Sequence, residues 1–229
     1  MSTTTIAPAE LEKLIAAALM ASNTTPENAA SVARALTQAE IDGQKGHGIS
    51  RVGSYAAQAK SGKVDGHAVP TAHQTRAASV MIDAKNGFAY PAIDLAIADL
   101  PELAANAGIA AAGLTRSHHG GVMGRHCERL AEKGLIALAF SNTPHAMTSW
   151  GGRKPVFGTN PIAFAAPLDD RPPVVIDLAL SQVARGKIMT AAQKGESIPA
   201  GWAFDEHGQP TTDANAALKG TLVPLGGAK

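Results

Sequence analysis

Trp150-Gly151-Gly152-Arg153-Lys154-Pro155-Val156-Phe157-Gly158-Thr159-Asn160-Pro161-Ile162-Ala163-Phe164-Ala165-Ala166-Pro167 is the stretch on which the reading of this chain turns. Two glycines, two prolines and Gly158 keep its first two thirds out of regular helix or central strand. The chain then passes into the apolar run Ile162–Ala166, closed by Pro167. A polar, backbone-rich loop feeding a buried strand is suited to small anions, because glycine lets backbone N–H groups come close to a ligand. Glycine and proline taken alone equally describe an ordinary strand connection.

The neighbouring segments are also strand-like. Leu135–Phe140 is a short apolar strand ending at Ser141-Asn142-Thr143-Pro144. Val174-Val175-Ile176 is a β-branched strand leading to Asp177-Leu178-Ala179-Leu180-Ser181, and a helix follows with Val183, Arg185, Lys187 and Ile188. Asp177, at a strand end, can hydrogen-bond a ligand hydroxyl, cap that helix, or do both. Lys187 is either a proton-handling group or a solvated helix charge. The segment from Gly201-Trp202 to Thr212-Asp213 is rich in turns.

The N-terminal part reads as helical. Leu11, Leu14, Ile15, Ala18 and Leu19 recur at helical spacing, with Pro8 suited to the first turn. Thr24 and Glu27 stand at capping-box spacing ahead of the stripe Ala29, Val32, Ala33 and Leu36, and Asp42-Gly43 ends that helix. Gly46-His47-Gly48-Ile49-Ser50-Arg51 follows. It has half the spacing of a dinucleotide fingerprint, but Arg51 replaces the third glycine and a helix precedes it, so a Rossmann phosphate loop is rejected. What remains is a histidine able to exchange a proton near neutral pH and an arginine able to grip a carboxylate. A helix beginning near Ile49 puts Arg51 in its first turn, where the dipole also favours an anion. The plain alternative is a helix-entry loop with surface charges.

A third helix runs through Val52, Tyr55, Ala56 and Ala59 to Ser61-Gly62. Lys63–Ala78 is polar, carries Pro70 and reads as a crossing between domains. Val80 and Ile82 alternate as in a strand; Asn86-Gly87 reads as a hairpin turn with Phe88-Ala89-Tyr90 as a short return strand. Pro91 opens a helix to about Asn106, capped by Gly108, and Ile109–Leu114 reads as a buried strand. Ser117-His118-His119-Gly120-Gly121-Val122-Met123-Gly124 then leads into a helix from Val122 to Lys133. A strand, a glycine loop and a helix start together present free N–H groups to a phosphate or an amide. His119 and His126 raise a metal site, discounted because no carboxylate or thiolate stands at a supporting spacing except Cys127, which points elsewhere on the helix.

The 229 residues are 45% hydrophobic and 17% charged with formal net charge +1, as in a soluble globular protein of one or two domains. No basic run points to nucleic acid. Cys127 is the single cysteine, which excludes an intrachain disulfide. No apolar run approaches the ~20 residues of a membrane span, and Met1-Ser2-Thr3-Thr4-Thr5 is unlike a signal peptide. A cytoplasmic protein, with neither nucleic acid nor membrane as a partner, is expected.

The Gly158-Thr159-Asn160-Pro161 core and its flanks resemble the signature of the type 2 malate/lactate dehydrogenase family. Its members are NAD(P)-dependent oxidoreductases, among them ureidoglycolate and sulfolactate dehydrogenases and reductases of cyclic 2-imino acids. The resemblance implies an α/β protein: a helical N-terminal part, residues 1–74, and a cofactor-binding part, residues 75–229, whose mixed sheet is largely antiparallel and not a Rossmann fold. It implies His47 as proton donor and acceptor, Arg51 as carboxylate ligand, and substrate contact at Thr159, Arg185 and Gly186. Cofactor contact is implied at His119, Gly120, Gly121, Val122 and Met123, at Asp177, Leu178 and Ala179, and at Lys229. NADP or NAD is the cofactor, a small carboxylate the substrate, and a homodimer the assembly.

Three departures from the family pattern stand out, the first in the cofactor loop and the other two bearing on the substrate. Many members have an aromatic residue where Gly120 stands. Many have serine at the position of Gly46, and the imine reductases use it in a proton relay. Those reductases also carry an acidic relay residue where this chain has Lys187, which is taken here as the second catalytic candidate. The expected reaction is therefore hydride transfer between NAD(P)H and a 2-oxo or 2-hydroxy acid of malate, lactate or sulfolactate type, with cyclic 2-imino-acid reduction as the alternative. In the family the glycine-lysine loop at the chain's end contacts the cofactor and a further helical region follows it. Either a natural fragment or an incomplete sequence is thus expected, and a binding-only or inactive truncated module is the reading from another class.

Overall fold

The computed structural model describes residues 5–226. The chain divides into two compact units, residues 1–135 and 136–229. Among the described residues no helix is long and apolar enough to cross a membrane.

The first unit is built on three N-terminal helices, α1 (Pro8–Met20), α2 (Pro26–Ile41) and α3 (Val52–Lys60). The apolar stripes of α1 and α2 face each other, so Ile15 and Leu19 pack with Ala29, Val32, Ala33 and Leu36. Leu14, on the same apolar spacing as Ile15, is instead exposed. Tyr55 and Ala59 of α3 close this core from one side, and Phe88 and Tyr90 close it from another. The cap of α2 is Thr25, not Thr24: its side chain accepts the Asn28 N–H at 3.3 Å, with Pro26 in the first turn. Thr24 is buried, so the capping frame lies one residue later than its spacing with Glu27 predicts.

Lys63–Ala78 is not merely a crossing. It contains strand β1 (Thr71–Arg76), antiparallel to β2 (Ser79–Asp83). Its residues are mostly exposed, as on a one-sided edge strand, and that is why no apolar alternation marks it. β2 runs parallel to β3 (Ala111–Thr115), and helix α4 (Ala89–Ala107) is the crossover between them. The turn predicted at Asn86-Gly87 falls one residue earlier. Lys85 and Asn86 hold φ of 52° and 62°, and the Gly87 N–H donates to Ala84 O at 2.8 Å. The turn feeds α4 directly, with Phe88 as its N-cap, so the predicted return strand does not exist. β3 is a strand as expected but is not fully buried, and Ile109 before it is exposed.

Helix α5 (Met123–Ala131) completes the unit. Asp94 on α4 ties the helices together: it accepts from Ser31 Oγ at 2.6 Å and lies 3.3 Å from Arg34 Nη2 and 2.8 Å from Arg129 Nη1.

The second unit holds two small antiparallel sheets. One is β4 (Ala137–Phe140), β5 (Ile162–Ala166) and β6 (Val174–Leu178), with β5 in the middle. Register places Leu138 and Phe140 opposite Phe164 and Ile162, which face Ile176 and Leu178 in turn. That face is wholly apolar, and Leu138, Phe140, Ile176 and Leu178 are exposed on it. The reverse face is alanine-rich, with Ala163 and Ala165 buried. β4 and β6 are strands as their apolar runs predict, but they are not buried as such runs normally are.

The other sheet pairs β7 (Ala203–Phe204) with β8 (Pro210–Thr211) and β9 (Thr221–Leu222). Around it pack α6 (Arg185–Lys194) and α7 (Ala214–Lys219), with Ile188, Ala217 and Leu222 in the core. The turn-rich segment ends where Asp213 caps α7, accepting from the Asn215 and Ala216 N–H groups. Lys229 lies outside the described residues.

Asn28 makes the sharpest stability test of the first unit. Its buried amide donates to Gly66 O and Ala68 O, both at 2.9 Å, and so anchors the segment leading to β1 onto α2. Asn28→Ala keeps the Thr25 cap but leaves Ala68 O without its donor and Gly66 O with only the Thr25 N–H, and should lower stability by ~1–3 kcal/mol in urea unfolding. A loss below ~0.5 kcal/mol, the size of an ordinary surface change, contradicts this role.

Candidate active site

The segment between α2 and α3 folds as two short 3-10 turns, Lys45–His47 and Ile49–Arg51, separated by Gly48. Its polar groups are used locally. The His47 N–H donates to Gln44 O at 2.8 Å, Ser50 Oγ to Lys45 O at 2.7 Å, and the Ile49 N–H to Glu40 Oε1 at 2.7 Å. Arg51 Nε donates to Gly46 O at 2.6 Å. Arg51 is thus the residue before α3 rather than inside its first turn, and its side chain folds back over the His47 turn. That tether fixes the guanidinium plane. Its two terminal amino groups, the pair that matches a carboxylate, are bonded to no acceptor among the described residues. A Cβ at Gly46 would meet nothing within 4 Å, so packing does not exclude a serine there.

His47 is half-buried and stacks on His119, with ring centroids 5.3 Å apart and planes 9° from parallel. His119 Nδ1 lies 2.6 Å from the Tyr55 hydroxyl, which is 3.5 Å from the Tyr90 hydroxyl. Burial pushes the His119 pKa down to about 4, assisted by the nearby His47, Arg51 and His118. His119 is accordingly neutral near pH 7. Burial also raises both phenols, Tyr90 well above its ordinary value, so both keep their protons. His118 is lowered, by burial first and then by Lys63 and Arg51. It stands edge-on to Tyr55 and Phe88, with Nε2 3.3 Å from Gln58 Oε1. His126 is a support for this loop: Nε2 donates to Gly120 O at 2.7 Å from the buried side of α5.

The loop 118–122 is therefore held from below at four places. The His118 N–H donates to Gly87 O, Tyr55 meets His119, His126 meets Gly120, and the Tyr90 hydroxyl packs under Gly121. Gly121 has φ of 73°, and a Cβ there would run into the Tyr90 hydroxyl, so both backbone and space require glycine. The N–H groups of Gly120, Gly121 and Val122 donate to no acceptor among the described residues and lead into the N-terminus of nine-residue α5. Three successive donors at a helix start suit a carboxamide or phosphate oxygen.

In the second unit the Gly-Thr-Asn-Pro motif is a lock between two loops. Thr143 N–H donates to Asn160 Oδ1 at 3.0 Å, and Asn160 N–H to Thr143 Oγ1 at 3.4 Å. Thr143 Oγ1 and Thr159 Oγ1 are 3.3 Å apart. Gly158 is buried so closely against Thr143 that a Cβ would strike its carbonyl oxygen. The Thr159 carbonyl accepts from Leu180 N–H at 2.7 Å, tying the motif to the chain after β6.

Asp177 stands on β6 opposite Ala163, not at a helix start, so its reading as a cap fails. The N-cap of α6 is Ala184, with no side-chain bond. Leu178 is exposed opposite Ile162, and Ala179 is half-buried after the strand ends. Arg185 opens α6 and donates from Nη2 to Leu218 O at 2.8 Å, the C-terminal end of α7. Gly186 O accepts from Thr190 Oγ1, and Lys187 is exposed.

The structure thus brings His47, Arg51 and the His119–Met123 loop together within the first unit. Within the second, Thr159 is joined through hydrogen bonds to Thr143 and Asn160, while Arg185, Gly186 and Lys187 are neighbours only along α6. Tyr55 and Tyr90 escape the sequence reading as site residues, and His126 enters it only as a discounted metal ligand. One signal was available: the chain has only two tyrosines, each beside apolar residues, and a buried phenol needs a partner for its O–H.

The chain is similar to known proteins of one family. The model of the malate/L-lactate dehydrogenase family matches residues 6–229. The chain is 49% identical over 220 residues to the (2R)-3-sulfolactate dehydrogenase (NADP(+)) of Chromohalobacter salexigens, covering 96% of this chain and 66% of that protein. It is 40% identical over 228 residues to a Delta(1)-pyrroline-2-carboxylate/Delta(1)-piperideine-2-carboxylate reductase of Pseudomonas syringae pv. tomato, covering 99% and 66%. The crystal structure of delta1-piperideine-2-carboxylate reductase from Pseudomonas syringae superposes with a TM-score of 0.95 at 40% identity, over 98% of this chain and 68% of that one. The chain spans about two thirds of the length of the curated relatives it matches. The chain belongs to the malate/L-lactate dehydrogenase family.

Proposed function

We propose that this chain forms the substrate- and cofactor-facing part of an NAD(P)-dependent oxidoreductase that interconverts small 2-oxo and 2-hydroxy acids. The observation that carries the reading is the pairing of His47 with Arg51 in one tightly bonded segment, where Arg51 Nε is held on Gly46 O and its two terminal amino groups are left open. The name of the 49% identical relative, a sulfolactate dehydrogenase using NADP(+), supports the same substrate class and favours NADP over NAD.

Arg51 would hold the substrate carboxylate with its two terminal amino groups, while Nε remains on Gly46 O. His47 would give a proton to the oxygen on C2 as the carbonyl is reduced, and take it back in the reverse direction. One hydride and one proton together turn the 2-oxo acid into the 2-hydroxy acid. A bound nicotinamide supplies or accepts that hydride. The donor set fits such a cofactor: His119, Gly120, Gly121, Val122 and Met123 offer N–H groups and open backbone at the start of α5. Sheets that are mixed or antiparallel, with no glycine fingerprint after a strand, favour a platform other than the Rossmann fold.

For the second unit the same reading assigns substrate contact to Thr159, Arg185 and Gly186 and cofactor contact to Asp177, Leu178 and Ala179. Arg185 keeps donors to spare beyond the one bonded to Leu218 O. Lys187 is proposed as a second group that transfers a proton or steadies charge. Residues 1–74 would serve catalysis and substrate, residues 75–229 with Lys229 the cofactor. The proposal includes a cytoplasmic homodimer.

The deciding experiment is an absorbance assay of the full-length protein with sulfopyruvate, oxaloacetate, pyruvate and cyclic 2-imino acids, each with NADH and NADPH. Turnover of 2-oxo acids is expected. Turnover confined to the imino acids, which the reductase at 40% identity makes the second reading, would replace it.

His47→Ala in that protein should lower turnover by ~10²–10⁴-fold, the usual worth of general acid–base catalysis, with cofactor binding retained. Wild-type turnover in the variant ends the assignment. Arg51→Lys should lower kcat/KM for a 2-oxo acid by about 10-fold to 100-fold, because lysine lacks the planar fork and one charge-assisted bond is worth ~1.5–3 kcal/mol. Its effect on the corresponding amide should be small. An acid-to-amide ratio equal in wild type and variant shows that Arg51 does not hold the carboxylate.

A further inference from the structure

Two buried phenols sit beneath the histidines, and nothing in the proposed reaction uses them. Tyr55 is 2% exposed and Tyr90 4%, the only tyrosines of the chain. Each has its ring in the apolar core and its hydroxyl at the site side of that core. The phenol of Tyr55 touches both histidines of the loop: its hydroxyl is 2.6 Å from His119 Nδ1, and its ring is edge-on to His118 at 4.8 Å. Tyr90 touches the same loop further along, under Gly121.

We propose that Tyr55 is a positioning residue: its hydroxyl, backed by that of Tyr90, donates to His119 Nδ1 and holds His119 as the neutral Nε2–H tautomer stacked on His47. The inference rests on the reading of His47 as the acid–base group. The count of available protons argues for this direction of donation, and two further observations argue that His119 is neutral. Each phenol has one proton to give, and a chain from Tyr90 to Tyr55 to His119 uses both, leaving Nδ1 as the final acceptor. Burial keeps both phenols protonated and His119 neutral. Parallel imidazoles 5.3 Å apart cannot both be charged without strong repulsion, so a site that needs a protonated His47 needs a partner ring that declines the proton. Arg51, close enough to lower His119 further, acts in the same sense.

The consequence is that His47 would take its proton without competition from the ring stacked upon it. The same hydroxyls fix the loop whose N–H groups would meet the cofactor, so acid–base group and cofactor platform share one support.

The test is carried out on the full-length protein with Tyr55→Phe and Tyr90→Phe. Long-range ¹H–¹⁵N spectra of the imidazole nitrogens, recorded from pH 8 to pH 4, report the tautomer and midpoint of His119 without any need for turnover. In wild type, Nδ1 should be unprotonated and Nε2 protonated throughout, until a midpoint near 4. In Tyr55→Phe the tautomer bias should fall and the midpoint should move up, since the neutral ring has lost its donor, while burial and the nearby His47 and Arg51 still hold it below the usual imidazole value. The reduction rate should then drop by about threefold to tenfold at pH 6 and less at pH 8, with KM for the carboxylate nearly unchanged. Tyr90→Phe should show the same changes at smaller size. A wild-type His119 carrying its proton on Nδ1 overturns the proposal whatever the variants do. So does a folded Tyr55→Phe whose His119 tautomer and midpoint match wild type. If no substrate turns over but the spectra behave as expected, the function assigned to His47 fails while the role of Tyr55 stands.

Discussion

The hydrogen bond between the Tyr55 hydroxyl and His119 Nδ1 is the point at which core and site meet in the first unit. The Tyr55 ring is packed among the residues that α1, α2 and α4 contribute, so its position is set by hydrophobic burial. Its oxygen is then obliged to find a partner, because a buried hydroxyl left unpaired costs free energy. The partner is a loop histidine. Through that bond, the packing of three helices fixes a ring that stacks on His47, which belongs to a different segment altogether. The Arg51 tether and the Glu40 carboxylate hold the other side of the stack. The histidine stack is precise because His119 rests on a buried phenol, while Arg51 is tethered at an exposed turn.

The second unit uses a different device for the same end. Its central motif is held by exchange of hydrogen bonds between Thr143 and Asn160, with Gly158 pressed against the Thr143 carbonyl. Side chains here substitute for a sheet ladder, which glycine and the flanking prolines preclude. The motif is thus a structural clasp in its Gly158 and Asn160 and a candidate ligand contact only in Thr159. The apolar face of β4, β5 and β6 remains exposed at Leu138, Phe140, Ile176 and Leu178, at odds with burial as the usual fate of such side chains.

Much of the helical architecture was legible because burial there follows sequence period. Ala29, Val32, Ala33 and Leu36 are all buried as their spacing predicts. β1 was not legible, since an exposed polar edge strand has no apolar face to alternate. The missing return strand at Phe88–Tyr90 shows a tertiary override: a left-handed turn at Lys85-Asn86 is equally able to start a helix, and Phe88 and Tyr90 were aromatic because they enter a core. At the site, His47 and Arg51 were visible as unusual residues in a short glycine-rich segment. Their partners were not: Tyr55 lies among alanines at helical spacing, and only the fold reveals that its hydroxyl reaches a residue 64 positions away. Asp177 misled for a related reason. A strand-end aspartate and a cap look alike until the start of α6 is known.

The central claim is that Arg51 and His47 grip one small 2-oxo acid between them. A crystal structure of the protein with oxamate, an unreactive mimic of such an acid, tests it without depending on turnover. The account predicts the oxamate carboxylate on the two terminal amino groups of Arg51, with its adjacent oxygen within hydrogen-bonding distance of the His47 ring. Oxamate bound elsewhere, with the Arg51 fork empty and His47 untouched, would contradict it.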